Sequence, residues 1–181
     1  TLSGHTGSIQ WQSSTDSVNF TTIGSATAST YTATDLKVTT WYRAKVTSGV
    51  CDPAYSSVAS IRVDSTSIGG TLSGDATVCT GTNTTPFMLS ANRGDVVKWQ
   101  YATGSNFTNA TDTAVTGNNL TAVNLSATTY YRAVIKNGVC ASVYSSTGTV
   151  TVDPASVGGT ASGSKTVCTG TNTTQLSVSG H

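Results

Sequence analysis

The chain has 181 residues and a formal net charge of +1, with 9 Lys and Arg against 8 acidic residues, all of them Asp. So neutral a surface has no electrostatic footprint for nucleic acid or anionic lipid, and no apolar run approaches the roughly 20 residues that span a bilayer. Thr and Ser make up about a third of the residues, a composition of strands and turns rather than of helices.

In chain order, residues 1–64 carry most of one β unit. Ile9 and Trp11 share a strand face in SIQWQSS, and Phe20 and Tyr31 mark two further short strands. Leu36 to Tyr42, LKVTTWY, has the Leu-to-Tyr spacing of a tyrosine corner, whose ring packs inward while its hydroxyl bonds nearby backbone. Thr39 to Cys51, TTWYRAKVTSGVC, then alternates apolar and polar residues into a Ser48-Gly49 turn, as one arm of a hairpin.

Residues 65–153 repeat the pattern as a complete unit. Cys51 to Cys140, Cys79 to Cys168 and Tyr55 to Tyr144 are all separations of 89, whereas Trp11 to Trp99 is 88. The residue gained there is expected in the turn before Trp99, where GSIQW becomes GDVVKW. Strands are predicted at 71–73, 76–79, 86–91, 96–102, 119–125, 128–136 and 140–152. Their core is predicted to be Phe87, Leu89, Val97, Trp99, Leu120, Tyr131, Ala133 and Ile135. Residues 154–181 open a third unit, after linkers reading VDSTSIGG and VDPASVGG. A period near 90 suits a sandwich module, so the expected fold class is all-β: tandem immunoglobulin-like β-sandwich repeats of about 89 residues, joined as a semi-rigid rod.

Four Cys at spacings of 28, 61 and 28, without CxxC pairs or a nearby His, point to disulfides in an oxidising compartment rather than to zinc. The favoured pair is Cys79 with Cys140, inside one unit, leaving Cys51 and Cys168 to neighbouring repeats. Cys51 with Cys79 and Cys140 with Cys168 is the rival pairing. Trp41 and Tyr130 fall on the outer strand face, where an aromatic ring either packs on neighbours such as Arg43 or stacks on sugar. Arg93-Gly94-Asp95 reads as an ordinary glycine turn, and His5 and His181 as solvated loop residues. Asp52, Asp64, Asp75 and Asp153 lie near loops without the clustering that calcium needs, so no metal or other cofactor is expected. With no Glu, two His and no Ser in a nucleophile elbow, catalysis is not expected.

The phrases SVGGTxSGxxTVCTGTNTT, VVKWQ, TTYYRAVIKNGVC and TVTVDPxSVGG resemble the tandem repeats of SprB-type gliding adhesins and related giant surface proteins of Bacteroidetes, and the likeness covers essentially the whole chain. The resemblance implies a non-catalytic stalk segment of a long filament outside the cell, at the surface of the outer membrane, exported by a type IX secretion system and moved by the gliding machinery. Its partners would be neighbouring repeats and, through other parts of the parent protein, an external surface or polysaccharide; membrane insertion is not implied. Asp16-Ser17-Val18, Asp64-Ser65-Thr66 and Asp112-Thr113-Ala114 resemble the O-glycosylation signal of the same phylum, making Ser17, Ser65 and Thr113 candidate acceptors. The alternative function is a carbohydrate-binding repeat that engages polysaccharide through its outer aromatics, with avidity along the array.

Overall fold

A strand buried on one side needs its apolar residues two apart, and Ser8–Ser14 and Thr40–Thr47 both supply them: Ile9, Trp11, Tyr42 and Ala44 are buried. The computed structural model describes residues 1–181, all in strands, turns and loops. Its contacts divide into two compact units, Thr1–Thr66 with Asn137–Ala141, and Ser67–Lys136 with Ser142–His181.

The first unit holds one sheet. β1 (Ser8–Ser14) lies between β2 (Thr21–Thr22) and β3 (Thr40–Thr47), and β3 also pairs with β4 (Ala54–Tyr55) and β5 (Ala59–Ile61). Ile9, Trp11, Tyr42 and Ala44 form its core, with Leu2, Ile23, Ala26, Ala33 and Leu36 packed against them from loops. Tyr31, expected on a strand, lies in a loop instead, and its ring stands 6.1 Å from Trp11 and 5.7 Å from Tyr42.

The second unit has two facing sheets. Its strands are β6 (Thr71–Ser73), β7 (Ala76–Cys79), β8 (Thr84–Ser90), β9 (Asp95–Ala102), β10 (Thr111–Thr113), β11 (Asn119–Val123), β12 (Thr129–Lys136), β13 (Val143–Tyr144) and β14 (Gly148–Asp153). One sheet runs β10-β9-β12-β14-β7, with β13 also on β12, and the other runs β11-β8-β6. The inner faces meet in a single cluster that includes Leu72, Phe87, Leu89, Val96, Trp99, Leu120, Tyr131, Ala133, Ile135 and Val150. Every pairing is antiparallel except β7 with β14, which run parallel from Ala76 beside Val150 to Cys79 beside Asp153. The class is therefore all-β with the layering of a sandwich. Beyond it, β15 (Thr160–Ser162) and β16 (Ser177–Ser179) make a separate exposed hairpin.

Four expectations are corrected. Val97 is exposed and Val96 takes the core place, because β12 skips a partner there: Val134 faces Lys98 while Ile135 faces Val96. The residue gained relative to the first unit is thus a β-bulge inside β9 rather than a longer turn, and the first unit, lacking it, runs in unbroken register from Ser8 to Ser14. The strand expected over 140–152 is broken at Ser145 and Ser146. Ser145 accepts from Ala133 N at 2.9 Å through Oγ, and Ser146 accepts from Leu72 N at 2.7 Å, so the pair ties one sheet to the other. Finally, Tyr42 and Tyr131 pack inward as a tyrosine corner requires, but at Tyr131 no hydroxyl-to-backbone bond accompanies the ring. Thr129 Oγ1 donates to Ala127 O at 2.8 Å and holds that turn.

Candidate functional site

Alternation along β12 puts Tyr130 and Arg132 on the face opposite the core, and the first unit places Trp41 and Arg43 the same way. Both arginines are enclosed. Arg132 has its guanidinium carbon 4.1 Å from the centre of the Phe107 ring and 3.7 Å from that of Tyr144, and its Nε donates to Gln100 Oε1 at 2.9 Å. Arg43 lies between Phe20 at 4.1 Å and Tyr55 at 4.3 Å and donates to Gln12 Oε1 at 2.9 Å. A guanidinium stacked on both flat faces has its cation–π capacity filled from within, and a Lys could reproduce neither the stack nor the planar donor.

Local structure brings these groups together. Phe107 arrives on a tight loop at φ 56°, with its N–H on Gly104 O at 3.0 Å, and it is buried although it stands in a loop. Tyr144 comes from β13, paired with Val134. Gln100 extends the network to Asp112 at 2.8 Å, and Lys98 reaches the other carboxylate oxygen at 2.6 Å. Lys98 and then Gln100 hold the Asp112 carboxyl below the usual carboxylate range. In the first unit Gln10 spans to Ile23 O at 2.6 Å, with no carboxylate in the network. Sequence reasoning missed the clamp: the spacing of Arg43 from Tyr55 repeats in Arg132 and Tyr144 and is the one signal that pointed to it, whereas the loop phenylalanines carried none.

Trp41 and Tyr130 are both half-exposed, at the strand position before each arginine pair, while Tyr55 and Tyr144 present more open rings, at 52% and 55% exposure. The face is therefore aromatic and weakly charged, without a deep cavity. Desolvation raises the Tyr131 and Tyr42 hydroxyls above their ordinary range. Nowhere do three or more His, Cys, Asp or Glu side chains converge as a metal cage.

The remaining candidates lie apart from this face. Ser17 is exposed at φ 63°, next to Asp16, whose carboxylate accepts from Asn19 N at 2.8 Å, Ser14 Oγ at 2.7 Å and Val18 N at 2.9 Å. Ser65 is exposed, and Thr113 is half-buried in β10 with its Oγ1 accepting from Val115 N at 3.3 Å. Arg93 and Asp95 flank Gly94, and Arg93 bridges by backbone to Ile68.

No disulfide joins the four cysteines in this structure, and the register does not bring the favoured pair, Cys79 and Cys140, together. Cys79 sits beside Asp153, at the end of the sheet where β12 begins, whereas Cys140 follows the far end of the eight-residue β12. That length is about 26 Å at roughly 3.3 Å per residue, and a disulfide needs Cα atoms within about 7 Å.

A family model described as a domain of unknown function, DUF8696, matches residues 1–65 and again residues 68–154. No curated protein matches the chain.

Proposed function

The chain belongs to the family of DUF8696 domains, and we propose from its own residues that it is a tension-bearing spacer, a stalk segment of a long cell-surface adhesin outside the cell. The observation that carries this reading is the parallel pairing of β7 with β14. These strands lie near the two ends of the 65–153 repeat, so force applied along the chain at those ends loads their ladder in shear. Hydrogen bonds loaded side by side must break together, whereas an antiparallel hairpin pulled at its open end unzips one bond at a time. Thr80 N on Asp153 O at 2.9 Å and Thr149 N on Asp75 Oδ1 at 2.8 Å extend the same seam at both ends.

Export by a type IX system and movement by gliding machinery belong to this proposal through the resemblance of the repeats, as does a ligand held by other parts of the parent protein. The competing reading, a polysaccharide-binding face, draws on the half-exposed Trp41 and Tyr130 and the more open Tyr55 and Tyr144. The aromatic clamps weigh against it, since two of these four outer rings, Tyr55 and Tyr144, already stack on Arg43 and Arg132. Single-molecule pulling should release about 30 nm per repeat in a discrete force peak, at roughly 3.5 Å for each of its residues. Smooth extension with no peak would sink the spacer reading. Glycan binding abolished by Trp41→Ala and Tyr130→Ala would install the rival.

A further inference from the structure

Two turns of the chain share one shape. Ser48–Cys51 and Asn137–Cys140 each place Gly at positive φ, 55° at Gly49 and 52° at Gly138. Each also returns a bond from the cysteine N–H to the first carbonyl, at 3.1 Å to Ser48 and 3.0 Å to Asn137. The second turn is seated. Within the first compact unit Val139 N donates to Asp64 Oδ2 at 3.2 Å, Asn137 Nδ2 donates to Ser65 O at 2.7 Å, and the Cys140 thiol lies 3.4 Å from Asp64 O. A Cβ at Gly138, which also sits at positive φ, would run into the Asp64 carboxylate and displace it from Val139 N. The turn at Ser48–Cys51 is preformed but bare: nothing lies within 4 Å of a Cβ built on Gly49.

The seat itself recurs. Asp153-Pro154 stands 89 residues after Asp64-Ser65 and still offers an exposed carboxylate followed by a backbone carbonyl. A shallow cleft lined by Thr80, Ser126, Val152, Asp153, Pro154 and Ala155 opens there. Cys79 stands at its rim as the cross-strand partner of Asp153, and the residue after it, Thr80, donates to Asp153 O at 2.9 Å. At Asp64 the same carbonyl is approached by the Cys140 thiol. Carried over by the repeat, the thiol of the following turn would approach the carbonyl of Asp153, the residue beside which Cys79 stands.

We infer that the cleft at Asp153 receives the Gly-Val-Cys turn of the following repeat, and that the cysteine of that turn forms a disulfide with Cys79. The bond joins residues 150 apart, one repeat of 89 more than the 61 between Cys79 and Cys140, and no two of the four cysteines here have that spacing. The chemistry is thiol–disulfide exchange. A small disulfide oxidant such as glutathione disulfide is attacked by one thiolate, releasing a glutathione thiol; the second protein thiolate then displaces the other glutathione, so two protons and two electrons pass to the oxidant. Each repeat is thereby stapled to the next, whether the array serves as a spacer or as a binder.

The test is a chain in which residues 1–153 are followed by a second copy of residues 65–181, oxidised with glutathione disulfide, alkylated and mapped by mass spectrometry. The expected product joins Cys79 of the first copy to Cys140 of the second. Gly138→Val in the second copy and Asp153→Ala in the first should each lower its yield several-fold while Trp99 fluorescence stays native. Cys79 left open to alkylation, Cys79 joined elsewhere, or a yield unchanged in both variants overturns the inference.

Discussion

Trp11 and Trp99 occupy the same place in two sheets, yet their surroundings differ. Each indole N–H donates to a loop carbonyl at 2.9 Å, Ala28 O for the first and Gly117 O for the second. Trp99 is fully buried, whereas Trp11 keeps 8% of its surface. The difference lies in what faces them. β6, β8 and β11 close over Trp99 with Leu72, Phe87, Leu89 and Leu120; over Trp11 there is no second sheet, and Tyr31 lies across the ring from a loop. In both units the sheet and one loop carbonyl position the indole, and in the second unit a facing sheet also packs against it.

Truncation of the two tryptophans is the largest lever on this comparison. Trp99→Ala should cost the second unit about 3–5 kcal/mol, the usual range for a buried Trp or Phe. Trp11→Ala should cost the first unit clearly less, because water already reaches its ring. Denaturant melts of the two variants check both; equal losses would erase the distinction between the units. Gly148→Ala comes next. A Cβ there would meet Phe87 Cε1 at 2.6 Å and Leu72 Cδ2 at 2.7 Å, across the gap between the sheets. The cost should be about 1–3 kcal/mol, read in the second unit alone.

Arg132→Ala should remove about 1–2 kcal/mol by releasing Phe107 and Tyr144, and Arg132→Lys should recover little of it. The same pair at Arg43 tests whether a clamp works as well on a single sheet. The smallest effect is acid sensitivity. Asp16 and Asp112 both have folded-state values depressed below the unfolded one, Asp16 chiefly through the Asn19 N–H and Asp112 chiefly through Lys98. The stability they confer is complete above the unfolded value of about 4 and is lost as pH falls through the lower folded value. Asp16→Asn should flatten the acid limb of the first unit only, and Asp112→Asn that of the second only, as followed by melts from pH 7 down to pH 2.

Much of the sandwich was legible because period-two alternation is a local signal: Tyr131, Ala133 and Ile135 announce their face by spacing alone. Val97 was misplaced because alternation cannot register a bulge, which depends on what β12 offers across the ladder. Ser145 and Ser146 hid in an apolar run for a similar reason, since the Ala133 and Leu72 N–H groups they satisfy are remote in sequence, Leu72 by 74 residues. The outer aromatic positions could be read from strand parity, whereas the clamp needed two loops to fold back over the sheet. Cysteine spacing gave a count of thiols and no geometry, so the ends of β12 remained invisible in it.

The turn after Cys79 has a consequence of its own. Asn83 donates to Cys79 O at 2.9 Å and Gly81 O at 3.1 Å, and Asn172 does the same to Cys168 O at 3.1 Å and Gly170 O at 3.0 Å. These bonds span four residues or fewer, so the bend is a local device that can form while the rest of its module is still emerging from a ribosome or a secretion pore. Each module would then inherit a fixed starting corner, and a long polymer of near-identical units could be laid down one at a time, with less opportunity to exchange strands between neighbours.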